Sequence, residues 1–230
     1  MITLDVVGEK LFWWSNGSKL RDLHRVVGIY VFVFVVWGLY RLLFRLPEWF
    51  EETVLKALVF GGPVLLVVYK IEKKRWSELG MVTKGLLAAL YFGLLFGLWL
   101  AVLGNIVAFV RDGGVRFNPD VSVQAFGNLM LLGLVTAFWE QLLFMGYFLP
   151  RMVKNLGGEL IAVALVALMF AALHVPVQVA QEVAWQQILI RFILLYSLGF
   201  GNGVLYLRLK NLAAPIFAHL AWGSVIYLFG

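Results

Sequence analysis

Cysteine is absent from this sequence, which excludes disulfides, thiolate nucleophiles and thiolate metal ligands, and leaves the redox compartment undetermined. Charge is scarce too. Asp, Glu, Lys and Arg make up 14% of the 230 residues, where soluble domains carry about 25%. There are three histidines and six prolines. No dense basic run follows a phosphate backbone, so the net charge of +6 does not indicate nucleic acid. Residues 1–25 mix both signs of charge and lack the short apolar core and small-residue cleavage site of a signal peptide, so the first apolar stretch is expected to be retained.

What is present is apolar. Hydrophobic residues account for 62% of the chain and the mean hydropathy is +0.89, the composition of an integral membrane protein. Seven apolar segments of near-spanning length lie at about 26–44, 54–69, 86–110, 121–149, 160–175, 188–207 and 212–229. Helices are the open-ended element that satisfies its own backbone in lipid, so the expected fold is an all-α polytopic bundle of seven, at most eight, transmembrane helices. Connections are short and no internal repeat is evident, so 1–230 reads as one membrane domain.

Thirteen of the 19 Lys and Arg fall in the N-terminal segment and the second, fourth and sixth loops. The other six are Arg41, Arg45, Lys56, Arg111, Arg116 and Arg191. This bias predicts a cytoplasmic N-terminus, and the plasma membrane is the expected location. Leu11-Phe12-Trp13-Trp14 reads as an interfacial anchor or a loose tail. Gly93-x-x-x-Gly97 and Gly199-x-x-x-Gly203 offer small surfaces for close helix packing. Asn105, Asn128 and Asn202 read as interhelical hydrogen bonders.

Against this apolar background one carboxylate stands out. Glu140 is the sole charged residue of 129–149, where insertion of a charge costs roughly 2.5–3.5 kcal/mol. His174 and His219 are likewise set inside apolar runs. At 1.5 Å per residue, Glu140, His174 and His219 lie roughly 15, 21 and 12 Å from the inner face on three different helices. Their depths allow them to meet. Pro176 is expected to end or bend the helix just past His174, and Pro215 to mark the first turn of the last helix, leaving His219 near its N-terminus.

A carboxylate with a neutral imidazole can bind and deprotonate a water, while a second imidazole donates to a developing oxyanion. The same two His and one Glu are alternatively a zinc set with water in the fourth position, although the His-Glu-x-x-His spacing is missing. A Glu–His contact that only locks the bundle is the structural alternative to either.

Glu140-Gln-Leu-Leu-Phe-Met-Gly-Tyr resembles the Glu-Glu-x-x-x-Arg motif of the CPBP intramembrane proteases, which include CAAX prenyl endopeptidases and bacteriocin-processing or self-immunity proteins. Phe170-Ala-Ala-Leu-His174 resembles their Phe-x-x-x-His motif, and the run from Leu205 to His219 resembles the approach to their His-x-x-x-Asn motif. The order and spacing agree from about residue 121 to the end. The resemblance implies that Glu140 and His174 activate a water and His219 holds the oxyanion, that the cavity opens toward the cytosol, and that no metal is obligatory, with zinc on Glu140, His174 and His219 as the alternative. It further implies a membrane-associated peptide or prenylated protein as partner, alongside lipid.

Three positions depart from the family pattern. Gln141 stands for the second Glu, Met145 for the Arg, and Gly223 for the Asn. The first two are i and i+4, a supporting ion pair lost as a unit, which leaves no unpaired buried charge. The third removes an oxyanion donor, and such a loss is worth on the order of 10²–10³ in rate. Ser224, one residue away, is a poor substitute. The sequence thus supports an intramembrane endopeptidase, with a non-catalytic binding or self-immunity protein, and then a small carrier, as alternatives. A carrier would show interrupted helices at matching positions of paired halves, and none is seen.

Overall fold

The computed structural model describes residues 17–114 and 121–229. Within them the secondary structure is helical throughout, and each of the seven apolar segments is a helix. These are α1 (Gly17–Leu43), α2 (Glu48–Ile71), α3 (Leu86–Asp112), α4 (Val123–Leu156), α5 (Glu159–Ala180), α6 (Trp185–Leu209) and α7 (Ala213–Phe229). Six are long and apolar enough to cross a membrane, and α7 is shorter at 17 residues. The aromatic run at 11–14 lies outside the described residues.

The central helix is α4. Every residue from 140 to 149 is buried, so this stretch is enclosed on all sides by the rest of the bundle. By contrast α3 is two-faced: Leu87, Leu95, Leu98 and Val102 face outward, where a bilayer would lie, while Ala89, Leu100 and Ala101 face in. The glycine pairs act inside the chain. A Cβ on Gly93 or Gly97 would strike the carbonyls of Ala214 and Ala218, so these two glycines let α3 lie directly on the α7 backbone. Gly199 and Gly203 do the same for α6 against Ala167 and Val163 of α5.

Prolines shape three of the helices. Pro63 and Pro150 each remove an i−4 donor, and both α2 and α4 contain wider π-helical turns nearby, at Ala57–Gly61 and Leu142–Phe148. The fourth apolar segment stops at about residue 149, before Pro150, but the helix continues to Leu156, because Pro150 enters the first turn after the π-helical stretch, where its missing N–H is tolerated. Pro176 behaves as expected. The α5 helix breaks at His174, whose N–H bonds to the Ala171 carbonyl three residues back in place of the α-helical one four back, and resumes at Val175.

The start of α7 is pinned by Asn211. Its side-chain oxygen accepts from the Ala213 N–H, and its amide nitrogen donates to the carbonyls of Val82 and Lys84 in the α2–α3 loop. Pro215 lies in the first turn, and His219 follows one turn later. Asn105, expected to bridge helices, instead donates to the Ala101 carbonyl of its own helix, one turn back.

Candidate active site

Three helices place the ionisable residues. Glu140 is the last residue but one of the regular α-helical part of α4, next to the π-helical turns, which re-aim side chains relative to a regular helix. His174 sits at the break in α5, and His219 lies in the second turn of α7. Phe170, one turn before His174, is fully buried and touches both imidazoles edge-on, at 4.9 Å to the His174 ring and 5.7 Å to the His219 ring. It is the packing wedge between them.

The three side chains converge. Glu140 Oε2 lies 3.8 Å from His174 Nε2 and 3.8 Å from His219 Nδ1. Both distances are too long for a direct hydrogen bond, and Oε2 has no hydrogen-bond partner among the described residues. The His174 Nδ1–H donates to the Phe170 carbonyl at 2.9 Å, and since a carbonyl only accepts, the neutral ring presents its Nε2 lone pair to Glu140. Gln141 lies 3.1 Å from His219 Nδ1. With its amide nitrogen as donor, the neutral His219 ring carries its proton on Nε2.

The other carboxylate oxygen is fully engaged. Lys56 of α2 donates to Glu140 Oε1 at 2.6 Å, and the same ammonium lies 2.6 Å from Glu52 Oε2. Thr136, one turn before Glu140, donates to Glu52 from α4. Lys56 is only 5% exposed, although its charge counts among those of the outer side in the sequence. Sequence reasoning misses Glu52 because the helix starts at Glu48, several residues before the apolar run, and Lys56 because it stands just inside that run, where it counts as a charge at a segment end. The available signal was the i, i+4 acid–base pair Glu52-x-x-x-Lys56 at the edge of a spanning segment. Gly61 lets α2 approach here: a Cβ at that position would strike the Trp139 ring, next to Glu140.

The degenerate motif positions now have locations. Gln141 is buried against His219, so it supports the site through that imidazole. Met145 is fully buried in the apolar core. At Gly223 an added Cβ would meet no atom within 4 Å, and this residue lines a cavity of about 220 Å³ with His219, Glu52, Thr136 and Ser224. The Ser224 hydroxyl donates to the Leu220 carbonyl, which leaves it no proton to offer a substrate. The cavity occupies the halves of α2, α4 and α7 away from the Lys/Arg-rich loops and reaches the exposed Glu48.

A second, larger space of about 740 Å³ lies on the opposite side of the site, at the basic loops. Met81, Leu86, Phe138, Trp139, Ile216 and Phe217 give it almost wholly apolar walls. Phe138 and Trp139 directly precede Glu140, and Ile216 and Phe217 come just before His219.

Residues 122–225 match the family model of the type II CAAX prenyl endopeptidase Rce1-like proteins. The matched stretch holds Glu140, His174 and His219 and coincides with the region whose motifs carry the resemblance. No curated protein and no solved structure gives a match.

Proposed function

We propose that this chain is an intramembrane endopeptidase, hydrolysing a peptide bond near the C-terminus of a membrane-associated, prenylated substrate. The observation that carries this reading is the unpaired Glu140 Oε2, 3.8 Å from each of two imidazoles on different helices. His174 Nε2 and Glu140 Oε2 are two facing acceptors. A water bridging them would donate one hydrogen to each and keep a lone pair for attack. As its oxygen adds to the substrate carbonyl carbon, its proton passes to Glu140. The carbonyl oxygen becomes an oxyanion that the Nε2–H of His219 stabilises. Collapse of that intermediate breaks the C–N bond, and the proton held by Glu140 goes to the leaving amine.

The match to a prenyl endopeptidase model supports the substrate class, as does the apolar groove beside the site. We place the chain in the plasma membrane with its basic loops in the cytoplasm, so that this groove receives substrate from the cytosolic side. The site residues do not suit a zinc ion. The Lys56 ammonium already stands on Glu140 Oε1, where it would repel a divalent cation, and Gln141 donates to the Nδ1 that a metal would need. No group of three His, Asp or Glu among the described residues has metal-binding geometry. A second reading, a non-catalytic binding or self-immunity protein, is favoured by Gly223, which leaves the oxyanion side of the cavity one donor short.

Cleavage of a quenched, farnesylated CAAX-type peptide by purified protein separates these readings. Activity that survives chelator and vanishes in Glu140→Gln is the expected result. Activity lost to chelator would restore a metal on His174 and His219, and no activity in the unsubstituted protein on prenylated or unprenylated peptides would put the binding reading first.

A further inference from the structure

We propose that Lys56 is the positioning residue of Glu140, a clamp that occupies one carboxylate oxygen and so turns the other toward the imidazoles. The proposal rests on the reading of Glu140 as the base. It stands on geometry that the family motifs do not contain.

The clamp is a four-membered frame between two helices. Thr136 and Glu140 are one turn apart on α4, and Glu52 and Lys56 are one turn apart on α2. Thr136 donates to Glu52, and Lys56 donates to Glu140, so each turn contributes one rung. Lys56 also touches Glu52 along its own helix, which closes the frame. The ammonium is walled by the rings of Trp37 at 5.6 Å and Phe60 at 5.9 Å, favourable cation–π positions that leave it no other anion to reach. A carboxylate held at one oxygen by a buried, doubly bonded cation loses its freedom to rotate. Its second oxygen is then presented to His174 and His219 without direct contact, the condition a bridging water requires.

Charge points the same way. Two carboxylates and one ammonium leave a single negative charge when both imidazoles are neutral, and that charge is shared with the free oxygen of Glu140. The family pattern has its supporting acid and base on the helix of the catalytic Glu. Here Gln141 and Met145 are uncharged, and an acid–base pair of the same i, i+4 spacing stands on α2 instead.

Two measurements on the full chain in detergent test this. The first is the rate at which dicyclohexylcarbodiimide, an apolar reagent for uncharged carboxyls, modifies Glu140, read by peptide mass spectrometry. Without the ammonium, a carboxylate at this depth takes up a proton rather than remain unpaired. Lys56→Met should therefore be modified at Glu140 at least tenfold faster than the unsubstituted protein, and Lys56→Arg should resist. The second is steady-state cleavage of the farnesylated peptide. Here Lys56→Met should lower kcat by about 10²-fold, the scale of a misplaced catalytic group, with KM nearly unchanged, and Lys56→Arg should recover most of it. Equal modification of Glu140 in the unsubstituted protein and Lys56→Met would overturn the clamp, and so would unchanged kcat. If no peptide is cleaved at all, the peptidase reading fails while the carbodiimide rates still decide the clamp. Should Lys56→Met not fold, Glu52→Gln keeps the ammonium and loosens its anchor. Faster modification of Glu140 then supports the frame, and the unsubstituted rate would overturn it.

Discussion

Glu72 and Glu140 are both nearly buried carboxylates held by cations, one at the basic end of the bundle and one at mid-depth. Glu72 is saturated. Arg151 donates to both of its oxygens, Arg25 reaches Oε1 at 3.4 Å, and Lys74 stands 3.8 Å from Oε2. Arg151 is held in turn by the Tyr147 carbonyl and lies over the Tyr147 ring. Glu140 has one cation on one oxygen and nothing bonded to the other. A saturated carboxylate ties α1, α2 and α4 together at their ends, whereas a half-saturated one between two imidazoles retains the capacity to accept a proton. If the proposed peptidase reading holds, the contrast is that of a joint with a reaction centre, told apart by unmet valence.

The sharpest way to break this comparison is to neutralise each carboxylate in turn. Glu140→Gln should lower kcat by about 10²–10⁴-fold, the range for a lost general base, while the melting temperature in detergent stays close to that of the unsubstituted protein. Lys56 keeps Glu52 in that variant, so no buried cation is stranded. Glu72→Gln should do the reverse. It leaves the buried Arg151 without its carboxylate, so stability should fall by about 3 kcal/mol while kcat per folded molecule is unchanged. If the two variants behave alike, the distinction between joint and reaction centre is wrong.

A smaller effect sharpens the geometric side of the contrast. Gly61→Leu drives a side chain into the Trp139 ring and pushes α2 off α4 where Lys56 meets Glu140. Overpacking of this kind costs about 1–3 kcal/mol, to be read as a lower melting temperature. Activity should drop with it, since the clamp opens. Gly28→Leu, at an α1 position where a Cβ meets nothing within 4 Å, serves as the control: activity should be unchanged and the melting temperature should not fall, since a helical glycine is being replaced by a better helix former.

Much of this site is legible in the sequence because ionisable residues inside apolar runs are rare and the helix rise fixes their depth. The convergence of Glu140, His174 and His219 is anticipated this way, and the break at His174 follows from Pro176. Lys56 and Glu52 are not found, since hydropathy places them at the end of a segment, where charges ordinarily meet water. What draws them inward lies on other helices: Thr136 and Glu140 for this pair, and Tyr40 and Arg41 for the neighbouring Glu51. No local pattern records such pairings. Gln141 is hidden for a related reason. Its place on α4 is readable, but its partner His219 comes from α7.

The smallest expected effect concerns the side of the site where a group is missing. In the family pattern an Asn stands four residues after the last His, and here that position is Gly223, with open space at its Cβ and His219 lining the same cavity. An amide placed there needs no rearrangement of neighbours and would add a donor one turn from His219, on the side where the proposed mechanism forms its oxyanion. Gly223→Asn should therefore raise kcat, on the order of tenfold, short of the full 10²–10³ that removal of a donor can cost, because the donor must first be ordered. Replacing a helical glycine by asparagine should also stabilise the fold slightly, by about 0.3 kcal/mol, so the gain in kcat has to be read per folded molecule. A rise confined to stability would mean that His219 alone holds the oxyanion, and the half-saturated state of Glu140 would then be the whole of the chemical difference between this centre and the joint at Glu72.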